Sequence, residues 1–213
     1  MSRHHNQEYR TRAGFLRELT GWILLAAFAA LPLWMAGPAL AQQAGTVTIV
    51  LSEEPEIVDP CASSRSTVGR ITKQNIAETL TEIDPKDGSI RPRLATSWRQ
   101  VNDTTWRFTL RQGVKYHDGS VFNAQAAVEG INRIMNESLD CEVRTKFFGN
   151  IKLMPKAVNA TTLDIVTEKS VPIMPTMMGT VTLYKAPGSK ANEFTRAPVG
   201  TGPYRWDHWT VGQ

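Results

Sequence analysis

From Asn102 the chain reads NDTTWRFTLRQGVKYHDGSVFNA to Ala124 and continues QAAVEGINRIM to Met135. Trp106, Phe108 and Leu110 alternate with Arg107, Thr109 and Arg111, the period-two pattern of a half-buried strand. Asp118-Gly119 supplies a tight turn, and Asn123 stands where a helix N-cap is needed. Ala124, Ala127, Val128, Ile131, Ile134 and Met135 then recur at helical spacing. A strand face and a helix stripe that both need burial must cover one another, so the chain falls in the α/β class with a mixed α+β portion.

The flanking segments add elements. TVTIVL (Thr46 to Leu51) is apolar and β-rich, as a first buried strand would be, and SEEPEIVDP breaks it with Pro55 and Pro60. From Ser66 the pattern is helical, with Val68, Ile71, Ile76 and Leu80 on one side and Ser66 or Thr67 able to cap. DPKDGSIRP ends that helix as a turn. IKLM and TTLDIVT flank Pro155 to Ala160 as a hairpin, and TVTLY is a later apolar run. APVGTGPYRWDHW (Ala197 to Trp209) reads as a turn feeding a strand, with Tyr204, Trp206 and Trp209 packing in a core.

Charge and export narrow the function. Of the net +4, the first 41 residues supply +2, from Arg3, Arg10, Arg12 and Arg17 against Glu8 and Glu18. What remains is near neutral, with no basic run or aromatic–basic stripe of the kind that nucleic-acid binding needs. Trp22 to Leu40 carries no charge and runs into Ala39-Leu40-Ala41, a small-residue cleavage site, so residues 1–41 read as an export signal. Pro32, Gly37 and Pro38 interrupt the run and weigh against a retained membrane anchor. Export puts Cys61 and Cys141, the only two cysteines, in an oxidising compartment where they are expected to pair.

Residues able to do chemistry are few. His117 and Asp118 are sequence neighbours, and in an extended segment they point to opposite faces, so they cannot jointly hold a metal. His208 is the other histidine after residue 41, and neither belongs to a metal-ligand motif. No nucleophile elbow or phosphate loop is present. Met174, Met177 and Met178 read as apolar filler rather than a soft-metal site, and the sequons at Asn102, Asn136 and Asn159 as incidental. No catalytic residue, metal site or cofactor is expected.

Several segments together resemble one family, the extracytoplasmic solute-binding proteins of ATP-driven importers, family 5, the peptide and nickel receptors. The resemblance rests on LATSW (Leu94 to Trp98), Asn102 to Ala124, and PVGTGPYRW (Pro198 to Trp206), with looser support from VDP (Val58 to Pro60) and NIAETL (Asn75 to Leu80). It departs at Ala126, where relatives often carry an acidic residue in the first helical turn.

The resemblance implies a type II periplasmic-binding-protein-like fold with two lobes that close on ligand. Only the first lobe (about 42–68 and 188–213) and its inserted subdomain (about 69–187) would be present, a truncated N-terminal portion expected to bind weakly or not at all alone. It further implies a non-enzymatic monomeric receptor in the periplasm that delivers a small solute, such as a peptide, to an importer's membrane subunits. The loop Glu53, Glu54 and Pro55 would wall the ligand cleft. The rival readings are a secreted hydrolase using His117 and Asp118, and a membrane-tethered interaction domain retaining Trp22 to Leu40.

Overall fold

Four antiparallel strands and one helix form the centre of the molecule. The computed structural model describes Gly45 and residues 48–212; residues 1–41, read from the sequence as an export signal, lie outside them. In chain order the elements are α1 (Ser66–Thr72), β1 (Glu78–Thr79), β2 (Thr81–Ile83), β3 (Ile90–Pro92), β4 (Ala95–Asn102), β5 (Thr105–Leu110), α2 (Ala124–Met135), β6 (Leu153–Asn159), β7 (Thr162–Thr167), α3 (Met174–Met178) and β8 (Thr182–Leu183). The large sheet runs β4-β5-β7-β6, while β1 pairs with β8 and β2 with β3.

The alternation in β5 behaves as its sequence demands. Phe108 and Leu110 are buried, and Phe108 sits opposite Leu163 of β7. Asn123 Oδ1 accepts the Ala126 N–H at 3.0 Å and starts α2, whose buried residues Ala124, Ala127, Gly130, Ile131 and Ile134 cover the sheet. Burying each large apolar side chain of this layer stabilises by roughly 1.5–3 kcal/mol. On the opposite face Arg107 makes a two-point ion pair with Asp164, both bonds at 2.7 Å.

Asn102, Asn136 and Asn159 share a local role. Each side-chain oxygen accepts the backbone N–H two residues on, at Thr104, Ser138 and Thr161. The N-x-S/T pattern is therefore an Asx turn at two hairpins and at the end of α2.

Four expectations fail for identifiable reasons. Thr48 to Leu51 form no strand, and Ile49 and Val50 are 77% and 89% exposed, because no strand among the described residues pairs with them. The helix from Ser66 stops at Thr72 and is capped by Arg65 without a side-chain bond; Thr67 instead donates to Glu53. Gln74 takes a left-handed conformation at φ 68, and Ile76 is buried in the turn before β1 and Leu80 in the bend between β1 and β2. Tertiary pairing overrides a short helical pattern here. Pro155 to Asn159 belong to β6 rather than to a loop, which Pro155 permits because β6 is an edge strand. Past Gly202 no strand forms, and Tyr204 is 65% exposed with Trp206 and Trp209 half-buried outside the core.

Met174, Met177 and Met178 are buried core filler. Cys61 and Cys141 form a disulfide with Cα atoms 5.0 Å apart.

Candidate functional site

The segments that carry the family resemblance are knotted together by hydrogen bonds. The His117 N–H donates to the Gly200 carbonyl at 2.9 Å, and His117 Nε2 lies 2.8 Å from the Gly202 carbonyl. Gly202 and Tyr204 in turn donate to the Ile76 and Asn75 carbonyls, each at 2.9 Å. Gly200 and Gly202 are required by this close approach: a Cβ on Gly200 would run into the backbone of Ile76 and Ala77, and one on Gly202 into that of Asn75 and Ile76.

Asp118 faces away from His117. It accepts from the Ser120 N–H at 2.9 Å and from Lys185 Nζ at 2.7 Å. The lysine and serine bonds hold the Asp118 carboxyl well below the usual carboxylate range. Lys185 also lies over the Tyr116 ring, 5.2 Å from its centroid. The pair expected to act separately does so, each in fixing a turn.

Two buried carboxylates carry more of the architecture than their sequence context suggests. Asp59 is fully buried and receives the Cys61 N–H at 2.8 Å, the Thr195 N–H at 2.7 Å, Arg133 at 3.2 Å and the Tyr184 hydroxyl. Burial and the Asp59 charge push the Tyr184 hydroxyl well above its ordinary value. Glu78 collects Arg93 at 3.1 Å, Arg111 at 3.2 Å and the Thr201 hydroxyl at 2.9 Å. The signal for Asp59 was the Asp-Pro step that caps a short 3-10 turn, Pro60–Ala62; nothing local marked Glu78.

The loop expected to wall a ligand meets the end of the described chain. Glu54 accepts the Trp209 indole N–H at 3.1 Å and the Gly212 N–H at 2.8 Å, while Glu53 takes Thr67 at 2.7 Å. Pro55 is half-buried beside them. This places the exposed Glu54 carboxylate against the half-buried Trp209 indole. His208 bonds only Asp207, at 2.8 Å, so it and His117 do not come together. Among the described residues no three His, Cys, Asp or Glu side chains are grouped to hold a metal.

The chain is similar to proteins of known structure and role. The transcriptional regulator SgrR of Salmonella typhimurium is 28% identical over 148 residues, 68% of this chain and 25% of that protein. The chain thus spans about a quarter of the curated relatives it matches. The nickel–histidine-bound NikZ of Campylobacter jejuni superimposes with a TM-score of 0.62 at 24% identity, over 75% of this chain and 32% of that one. The peptide-bound DppA of Helicobacter pylori gives 0.61 at 21%, over 72% and 35%. These are two-lobed binding proteins of which this chain covers about a third. The model of bacterial extracellular solute-binding proteins, family 5, middle, matches residues 89–213, more than half of the sequence, and the chain belongs to that family.

Proposed function

We propose that this protein is the receptor component of an ABC importer that captures a peptide in the periplasm and hands it to the importer's membrane subunits. Family 5 proteins bind small ligands and work with such membrane components. On this reading residues 1–41 direct export, 42–68 with 188–213 belong to the first lobe, and 69–187 form its insertion. The chain acts as a monomer, without catalysis and without nucleic acid.

The observation that carries the peptide reading is the pairing of Glu54 with Trp209, with the exposed Glu53 next to it in the chain. Carboxylates already accepting N–H groups suit the terminal ammonium and amide N–H groups of a peptide. The indole offers an apolar face for a side chain. Enclosing those groups by lobe closure removes them from water and strengthens each bond.

The test is uptake of a labelled tripeptide and of labelled nickel by source cells lacking the protein, with and without the restored gene. Tripeptide uptake is expected to fall and recover while nickel uptake stays constant. Unchanged tripeptide uptake, or loss of nickel uptake alone, contradicts the peptide reading.

A further inference from the structure

A cleft opens beside the end of α2, away from the Glu53–Pro55 loop. It measures about 540 Å³ and is lined by Met135, Arg144, Ile151, Lys152, Leu153 and Met154. Arg144 begins a short π-helical turn, Arg144–Phe148, closed by Gly149 at φ 53. That left-handed residue turns the chain back, so that Ile151 to Met154 border the cleft opposite the arginine.

Four arginines are half-buried among the described residues: Arg93, Arg107, Arg133 and Arg144. The first three face Glu78, Asp164 and Asp59. Arg144 makes no ion pair among the described residues, and its Nε, like that of Arg93, is buried without a hydrogen-bond acceptor. A partly desolvated cation costs free energy unless an anion and hydrogen bonds compensate it. Elsewhere in this fold the sequence supplies that anion, and here it supplies an open cleft instead.

We propose that this cleft binds a small organic monocarboxylate with an apolar body. The guanidinium fork takes the carboxylate through two bonds, while Lys152, 69% exposed and 3.8 Å from Glu168, stands at the mouth. Met135, Ile151 and Met154 take the apolar part; Met154 is 47% exposed despite lying in a strand, and thioether side chains adapt to varied shapes. Glu137, exposed on the rim, opposes a second negative charge and selects against dicarboxylates.

The test uses octanoate as probe on the full chain, labelled at its methionine methyl groups and followed by NMR. Saturable shifts of the Met135 and Met154 methyls are expected with octanoate and not with octanol. Arg144→Gln, shown to be folded by its retained thermal transition, is expected to weaken octanoate binding at least about tenfold. Arg99→Gln, on a distant strand, is expected to leave it unchanged. Absence of methyl shifts, equal shifts with octanol, or wild-type affinity in Arg144→Gln overturns the proposal. The octanoate–octanol comparison decides the matter even if Arg144→Gln does not fold.

Discussion

His117 Nε2 lies 2.8 Å from the carbonyl oxygen of Gly202, 85 residues away in sequence. A carbonyl only accepts, so Nε2 carries the proton, and Nδ1 is left buried with no partner. The histidine of the His-Asp-Gly turn is thereby a clasp that ties this turn to the glycine-rich segment at Gly200 and Gly202. His117→Ala is expected to lower stability by about 1–3 kcal/mol, the cost of stranding a buried polar group, read as a lower urea midpoint with an unchanged slope.

The other half of that clasp is intolerant of side chains. Gly200→Ala places a methyl group against the Ile76 and Ala77 backbone and Gly202→Ala against that of Asn75 and Ile76, where nothing flexible can move aside. Either change is expected to consume most of a small domain's stability and to give insoluble protein. Gly188→Ala is the control. It meets open space at φ +76 and is expected to cost only about 1–2 kcal/mol, from backbone strain.

Asp59 separates buried from surface ion pairing. Asp59→Ala leaves Arg133, Tyr184 and two backbone N–H groups without their acceptor, and a loss of about 3–5 kcal/mol is expected. Arg91 pairs with Asp84 while 57% exposed, so Arg91→Ala is expected to cost under about 1 kcal/mol. Chemical denaturation of the two variants measures the contrast.

Acid sensitivity follows from Asp118. Its folded-state carboxyl titrates below the ordinary value of 3.8, so the Lys185 tie contributes stability above that pH. The contribution is lost as pH falls through the lower folded value. Asp118→Asn is therefore expected to flatten the decline in melting temperature on acidification below about pH 4; an unchanged decline places the acid sensitivity elsewhere.

The disulfide closes a sequence separation of 80 residues, and in the chain-entropy model its loss costs roughly 4 kcal/mol. Unreduced protein unfolded in denaturant is expected to show no thiol reactive to alkylation. The Cys61→Ser, Cys141→Ser double variant is expected to unfold at lower denaturant.

What could be read from the sequence followed the reach of the interactions. The β5 alternation and the Asn123 cap are local, and both stand as read. Ile76 and Leu80 looked helical because their spacing is ambiguous over so short a run. The Ile76 carbonyl is claimed by Gly202 and the Leu80 carbonyl by Arg93 and Ala95, all outside that run. The roles of Glu78 and Arg144 depend on which groups come near or fail to, and no single-segment pattern carries that information. Glu53 and Glu54 are recognisable as exposed acids after a strand-like run, but the link of Glu54 to Trp209 and Gly212 required the fold.

Whether this chain itself touches the transported solute is tested most directly by photocrosslinking from Pro55, which is half-buried beside the Glu54–Trp209 bond. A photoreactive residue placed there, in cells supplied with a labelled tripeptide, is expected to give a covalent peptide adduct that excess unlabelled tripeptide abolishes. Continued tripeptide uptake with no adduct would contradict peptide capture at this loop.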